Sequence, residues 1–234
     1  MNLICVGIDF SINSPAICIY NDAKKSYKFV SFTNIQDKII SNKVPKAYEI
    51  HHNLLTNNII DWIHFNRRRK HDNYTVDQFQ KIEDACTLAN SISQYISDEL
   101  TPKCTLEIGI EGYSYGSKGN SFIDLITFNS TLRSKLYERF VLHRKCEDIK
   151  VFSPSQIKGW AGKGNANKIA MWNYFINNSK NDKELENNLF WNWCTKKDIK
   201  TNGKGEIELE KPLDDIVDSY FIANLLKQLH ISNP

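Results

Sequence analysis

The sequence predicts a mixed α/β fold, in which a five-stranded sheet carries helices on its faces. Three apolar segments with short connections open the chain, at Leu3–Asp9, Pro15–Tyr20 and Tyr27–Thr33, and this spacing is typical of an antiparallel meander. The hydrophobic period then lengthens to that of helices, and strand and helix patterns alternate afterwards. A meander that continues into strand–helix–strand units predicts three antiparallel strands followed by two parallel ones.

Two helices are predicted between the third and fourth strands. The segment Lys46–Phe65 carries apolar residues at helical spacing. Thr75 and Gln78 have the spacing of a capping box, and a clearer amphipathic pattern follows up to Leu100. Its apolar positions recur three or four residues apart: Phe79, Ile82, Cys86, Ala89, Ser93 and Ile96.

The second half of the chain alternates between strands and helices. The fourth and fifth strands are predicted at Thr105–Glu111 and Ile149–Ser153. Helices are predicted at Ser121–His143, Asn165–Ile176 and Pro212–Leu229. We therefore expect one domain over residues 1–234, with a helical insertion at about 36–103 and a less defined insertion at about 178–210.

Composition excludes several classes of protein. The chain has 234 residues, of which 41% are hydrophobic and 24% charged, so disorder of the whole chain is excluded. No stretch approaches the ~18 consecutive apolar residues of a membrane span, so we expect no membrane partner. The apolar N-terminus lacks a basic region and carries Asp9, which argues against a signal peptide. We expect an intracellular protein, in the host cytoplasm if its origin is viral.

Acidic side chains stand at the ends of two predicted strands. Asp9 ends the segment V-G-I-D, and Glu111 ends the segment I-G-I-E. A carboxylate at the end of a buried strand is costly unless it is paired or binds a metal ion. Taken singly, Asp9 could form an Asx turn and Glu111 could be structural.

The last predicted helix adds three acidic residues, Asp214, Asp215 and Asp218. Their spacing places Asp218 on one helical face with Asp214 or Asp215, where like charges repel unless a cation lies between them. Oxygen ligands without His or Cys favour Mg²⁺ or Mn²⁺, and four carboxylates suffice for a two-metal site that hydrolyses phosphodiesters. Asp214 alone could equally be a cap or first-turn acid of the helix.

Two basic segments could bind a phosphate backbone. Lys158, Lys163 and Lys168 lie in a glycine-containing segment without acidic residues, before a predicted helix N-terminus. The run of Arg67, Arg68 and Arg69 could add a salt-dependent contact with DNA, or could be a solvated turn.

Four motifs together resemble the RuvC-type Holliday junction resolvases of the RNase H-like fold, and more closely their bacteriophage and poxvirus relatives. The motifs occur in the order of that family: V-G-I-D-F-S, I-E-G-Y-S-Y-G, S-P-S-Q-I-K-G-W-A-G-K-G-N-A-N-K and D-D-I-V-D-S. The resemblance implies an RNase H-like sheet, and a homodimer that binds four-way DNA junctions and makes paired, symmetric nicks with two Mg²⁺ or Mn²⁺ ions per active site.

Site residues follow from the same resemblance. The four matching acidic residues would be catalytic and would bind the metal ions: Asp9, Glu111, Asp215 and Asp218. Asp214 stays a cap or an auxiliary ligand. Lys158 and Lys168 match lysines near the scissile phosphate, with a separation one residue shorter than in the family.

One position departs from the family pattern. Bacterial members carry a phenylalanine three residues after the glutamate, where this chain has Ser114 between Tyr113 and Tyr115. Either tyrosine could stack on a base or simply pack at the strand exit. Lys118, in the loop that follows, could contact phosphate.

The sequence thus favours a junction-resolving endodeoxyribonuclease. Another nuclease of the same superfamily, acting on other branched or duplex DNA, fits the carboxylates as well. A non-catalytic junction-binding protein would be expected to lack one of the four acids, and none is missing. An actin-like kinase also opens with a G-I-D strand, but it needs a glycine pair and a second domain that this chain lacks.

Overall fold

This computed structural model describes residues 2–38, 43–45, 48–68, 70–113, 120–178, 182–196 and 211–232. Within these residues the chain forms a six-stranded sheet in the order β4-β3-β2-β1-β5-β6. The strands are β1 (Asn2–Asp9), β2 (Ala16–Asn21), β3 (Ser26–Thr33), β4 (Asp61–His64), β5 (Cys104–Glu111) and β6 (Ile149–Phe152).

The predicted mixed fold is confirmed. Strands β1, β2 and β3 are antiparallel, while β5 runs parallel to β1 and β6 runs parallel to β5. These five strands have the order and directions expected of an RNase H-like sheet. The count of five is wrong, because β4 adds a sixth strand parallel to β3.

Strand β4 corrects the predicted helix over Lys46–Phe65. The helical part is shorter, Glu49–Thr56, and the chain then turns through Asn58, whose φ is 50°. Trp62 and Ile63 belong to β4, where they pair with the outer edge of β3. An aromatic and a β-branched residue suit an edge strand, and backbone hydrogen bonds to β3 outweigh a weak helical spacing.

Helices cover both faces of the sheet. They are α1 (Ile35–Lys38), α2 (Glu49–Thr56), α3 (Tyr74–Asp98), α4 (Asn120–Leu136), α5 (Pro154–Ala161), α6 (Lys168–Asn178), α7 (Leu189–Lys196) and α8 (Leu213–Ser232). A π-helical turn, Tyr137–Val141, follows α4. In the described residues, none of these helices has the length and apolarity needed to cross a bilayer.

The start of α3 differs from the predicted capping box. Asn73 caps the helix, and its side chain accepts a hydrogen bond from the backbone N–H of Val76. The helix therefore begins at Tyr74, and Thr75 lies within its first turn. Asn is as good an N-cap as Thr or better, so the cap forms two residues earlier than expected.

The sheet separates two apolar layers in the described chain. Helix α8, together with α5, α6 and α7, packs on the face that carries Cys5, Cys18 and Phe29. Helices α3 and α4 pack on the opposite face, against Ile4 and Val6. Strand β1 is buried on both faces, which explains its continuous run of apolar residues.

Part of the predicted apolar face of α3 is not in the core. Phe79 is 63% exposed, Ile82 is 50% exposed and Cys86 is also exposed. The second half of the helix does supply the core, through Leu88, Ile92 and other buried residues. The first half of the helix buries Asp77 and Asp84 instead, and leaves these three residues as an apolar stripe that is exposed to solvent.

Helix α8 lies directly on β1 because residue 7 is glycine. A Cβ atom at Gly7 would lie 2.2 Å from the carbonyl oxygen of Ser219 and 2.4 Å from the amide nitrogen of Ala223. Both atoms belong to the α8 backbone and cannot rotate away. The absence of a side chain therefore sets the distance between α8 and the sheet.

We predict that Gly7→Ala lowers the free energy of unfolding by more than about 3 kcal/mol, because α8 must move off β1. The measurement is urea denaturation. Gly159→Ala is the matched control, since its new Cβ would meet only the Cα of Gly164, at 3.9 Å. That variant should stay within about 1 kcal/mol of the wild type. Equal effects of the two substitutions would contradict this account of the helix–sheet contact.

Candidate active site

The carboxyl ends of two neighbouring parallel strands carry the first two acidic residues. Ile8 of β1 pairs with Ile110 of β5, so Asp9 and Glu111 are the next residues on adjacent strands. Asp9 is buried, and its carboxyl group lies close enough to that of Glu111 for the charge of Glu111 to raise its pKa. The sheet register therefore brings together two acids that are 102 positions apart in the chain.

The first turns of α8 bring the other acids to the same edge. Asp214 and Asp215 are buried in the first turn of α8, and Asp218 follows one turn later. Because α8 packs directly against β1 at Gly7, the N-terminal end of the helix lies beside the carboxyl end of that strand. The negative charges of Asp215 and Asp218 act directly on Asp9.

Burial and mutual repulsion raise the pKa of Asp9 and of Asp218. Burial, followed by the charges of Asp215, Glu111 and Asp218, raises the pKa of Asp9 well above its ordinary value. Burial and the charges of Glu111 and Asp215 raise the pKa of Asp218 to about 8. Burial and repulsion therefore oppose the ionisation of Asp9 and Asp218, and a bound cation would relieve that repulsion.

Lysines partly balance this charge. Lys168 forms an ion pair with Asp214, and Lys211 forms one with Asp215. Burial raises the pKa of Asp215 to about 6, against the charge of Lys211, which lowers it. Lys158 lies close enough for its charge to lower the pKa of Asp218.

Sequence reasoning missed Lys211. It lies outside the basic segments, in a part of the chain with no clear pattern. A signal was present, because Lys211 precedes Asp214 and Asp215 by three and four residues. Such spacing brings side chains together at a helix start.

Asp214 lies in the first turn of α8 rather than at its N-cap. Its Oδ2 binds Lys168, while its Oδ1 is buried without a hydrogen-bond partner.

The turn after β1 is closed by Ser11, whose hydroxyl accepts a hydrogen bond from the Ser14 backbone N–H. Ser14 in turn donates a hydrogen bond to Asp215 Oδ2, at 3.3 Å.

The glycine-containing basic segment borders the cluster. Ser153 and Gln156 form a capping box at the start of α5, and Lys158 lies in its last turn. Lys163 is exposed in the loop between α5 and α6, and Lys168 begins α6. Of the three lysines, Lys158 and Lys168 interact with the cluster, whereas Lys163 faces solvent.

Tyr113 packs against α4, and stacking of its ring on a base stays a prediction. The guanidinium of Arg133 lies 4.8 Å from the centre of its ring, and its hydroxyl is 3.1 Å from that of Ser130. Phe122 meets the same ring edge-on. Four other residues singled out from the sequence lie outside the described residues: Arg69, Ser114, Tyr115 and Lys118.

Arg67 and Arg68 have acidic partners within the protein. Arg67 binds Asp124 of α4. Arg68 donates hydrogen bonds to Asp84 Oδ1 at 2.7 Å and to Glu83 Oε2 at 2.8 Å. These contacts hold the segment before α3 against α3 and α4, and contact of this basic run with DNA stays a prediction.

The donor set suits a hard divalent cation in its chemistry. All the clustered side chains are carboxylates, and one buried oxygen of Asp214 lacks a partner. As the side chains stand, no three Asp, Glu, His or Cys residues among those described form a ready metal-binding group. Lysines hold Asp214 and Asp215, so these two carboxylates would have to leave their lysine partners to share a cation.

Comparisons with known proteins give matches among solved structures alone. No protein-family model and no curated protein matches the sequence. The structure of Thermus thermophilus RuvC is 9% identical, with a TM-score of 0.46, over 98% of this chain and 97% of that one. T. thermophilus RuvC in complex with a Holliday junction substrate is 7% identical, with a TM-score of 0.44, over 98% and 96%.

A third match is the yeast mitochondrial Holliday junction resolvase Ydc2. It is 16% identical to this chain, with a TM-score of 0.44, over 97% of this chain and 83% of that one. Identity and structural overlap at this level are too low to carry a function from those proteins to this one. The functional argument therefore depends on the chain's own residues.

The raised pKa values predict an unusual dependence of stability on pH. Folded Asp218 has a pKa of about 8, against 3.8 in the unfolded chain, so the folded state binds more protons between these values. In EDTA, the free energy of unfolding should therefore fall as pH rises from 5 to 8. Asp218→Asn should reduce this fall by about 2 kcal/mol or more, measured by urea denaturation at each pH.

The control is Asp84→Asn, which alters a buried acid outside the cluster and should keep the wild-type slope. A wild-type stability that rises from pH 5 to 8 would contradict the proposed crowding of carboxylates.

Proposed function

We propose that this chain is a metal-dependent endonuclease that resolves four-way DNA junctions by paired, symmetric nicks, in the manner of the bacteriophage and poxvirus RuvC-type enzymes it resembles. The observation that carries the proposal is the group of carboxylates from β1, β5 and α8 at one edge of the sheet. Burying such a group of carboxylates costs free energy, and a purely structural role would not offset that cost.

Asp9, Glu111, Asp215 and Asp218 would hold two Mg²⁺ or Mn²⁺ ions, with Asp214 as an auxiliary ligand. When bound, such a pair of ions supplies an activated water and stabilises the charge on the leaving 3′ oxygen. The chain's own residues hold the carboxylates in place: β1 and β5 through their parallel register, and α8 through its contact with Gly7.

Lysines beside the cluster would position the DNA backbone. Lys168 has its ammonium group at Asp214 and is 63% exposed, so it can contact a phosphate at the scissile bond. Lys158 acts on Asp218 from the end of α5, and Lys163 extends the positive charge along the loop. Contacts of this kind position a duplex without reading its sequence, as a nuclease that selects structure requires.

Paired nicks require two active sites, and the exposed stripe on α3 offers a surface for a second copy. Phe79, Ile82 and Cys86 recur at helical spacing on one face and are exposed. A group of apolar side chains that the protein's own core leaves uncovered is typical of an interface. A twofold dimer through this face would present two equivalent carboxylate clusters to one junction.

The function is tested with a labelled synthetic four-way junction, a matched linear duplex and a flap, each with Mg²⁺ and with EDTA. We expect paired, symmetric nicks on the junction with Mg²⁺ and none with EDTA. Asp9→Asn should lower cleavage at least about 1,000-fold and leave junction binding largely intact, because it removes one buried ligand. Asp84→Asn should cut at the wild-type rate.

Each contrary outcome has a definite meaning. Equal cutting of all three substrates would show a less selective nuclease of the same chemistry. Junction binding without cutting in Mg²⁺ or Mn²⁺ would indicate a non-catalytic junction-binding protein. Loss of folding in Asp9→Asn, in place of loss of cleavage, would mean that this acid is structural.

The double variant Phe79→Glu, Ile82→Glu should be monomeric, because four buried charges would face each other in a dimer. Sedimentation velocity measures the mass, and the two strands of the junction should then be nicked independently. Ile231→Glu is the control, since Ile231 is 59% exposed at the far end of α8. A double variant that keeps the wild-type mass would place the dimer interface elsewhere.

A further inference from the structure

One lysine contacts two of the clustered acids at once. Lys211 lies immediately before Pro212 and α8, and its Nζ donates a hydrogen bond to Asp215 Oδ1. The same Nζ lies 3.6 Å from Asp214 Oδ2. Both carboxylates are buried, whereas the Lys211 side chain is 47% exposed. Lys211 therefore enters the cluster from its solvent side.

Lys211 and Lys168 do not duplicate each other. Lys168 pairs with Asp214, whereas Lys211 is the lysine that hydrogen-bonds to Asp215 in the described chain. The other oxygen of Asp215 accepts the weaker hydrogen bond from Ser14. Lys211 thus contributes most of the positive charge next to Asp215.

The acids around Lys211 favour the charged form of its side chain. Burial alone would lower its pKa, but the charges of Asp215 and Asp214 outweigh burial and raise it. The charge of Asp9 acts in the same direction. The ammonium group therefore stays protonated and compensates a part of the charge that the cluster concentrates at the sheet edge.

We propose that Lys211 is a tethered counter-ion of this site, which holds Asp214 and Asp215 before a divalent cation binds and then competes with that cation for Asp215. The inference rests on the proposed function in one respect: the competing ligand is the divalent cation of a nuclease. In this proposal, Lys211 sets the concentration of divalent cation that is needed to occupy the site.

The physical consequence is a competition between the Lys211 ammonium group and a divalent cation for Asp215. A divalent cation that approaches Asp215 meets an oxygen that Lys211 already occupies, and the two positive charges repel. Binding therefore requires the lysine side chain to swing away toward solvent, which its partial exposure permits. A side chain of similar length without charge leaves Asp215 free and removes the repulsion.

The test compares the wild type with Lys211→Met and Lys211→Arg. Mn²⁺ binding to the purified 234-residue chain is measured by the loss of the electron paramagnetic resonance signal of free Mn²⁺. Lys211→Met should bind Mn²⁺ about tenfold more tightly than the wild type. Lys211→Arg keeps the charge and should stay within about threefold of the wild type.

Thermal denaturation gives a second readout that needs neither DNA nor catalysis. In EDTA, Lys211→Met should have a lower Tm than the wild type, because two buried carboxylates lose a partner. Added MgCl₂ should raise its Tm with a midpoint about tenfold lower in concentration. Lys150→Met is the matched control: it removes a half-buried lysine paired with Glu107, away from the cluster, and should leave Mn²⁺ affinity unchanged.

The outcomes separate this inference from the proposed function. Unchanged or weaker Mn²⁺ binding by Lys211→Met, with a wild type that cuts junctions, would overturn the inference alone. Tighter binding by Lys211→Met, with a wild type that binds Mn²⁺ and cuts no DNA, would support the inference and overturn the nuclease proposal. Absence of Mn²⁺ binding in every variant would overturn both.

Discussion

The contact between α8 and β1 at Gly7 is the constraint on which the carboxylate cluster depends. Backbone atoms of α8 occupy the space where a side chain of residue 7 would lie. That close approach places the first turns of α8 beside the end of β1, and with them Asp215 and Asp218 beside Asp9. A larger residue at position 7 would keep an apolar core but would separate α8 from β1. The close approach of α8 to β1 therefore depends on the small size of residue 7 more than on hydrophobicity.

The same close approach creates an electrostatic problem that the fold only partly solves. Five acids gather at one edge of the sheet, and burial and mutual repulsion raise the pKa of Asp9, Asp215 and Asp218. Lys168 and Lys211 supply positive charge from the solvent side, through partly exposed side chains. If each carboxylate had a buried lysine or arginine as its partner, the whole cluster could be buried. This one keeps its cations at an open edge, where an exchange with a dissolved cation or a phosphate contact is possible.

The parts of the prediction that held depend on local pattern. The runs of apolar residues in β1 and β5 identify buried strands whichever residues surround them, and their terminal acids Asp9 and Glu111 are visible in the motifs. The parts that failed depend on distant partners. Trp62 and Ile63 form a strand because the edge of β3 was available to them.

The sequence by itself determined the three strands of the meander, the acids that end β1 and β5, and the three-residue spacing of Asp215 and Asp218, because each is written in a short stretch of chain. The tertiary structure alone decided which charges are already satisfied. The pairing of Lys168 with Asp214, the unpartnered oxygen of Asp214 and the exposure of Phe79 follow from how the helices α6, α8 and α3 pack. Electrostatic partnership depends on distances of a few ångströms between elements, and no periodicity along the chain encodes those distances.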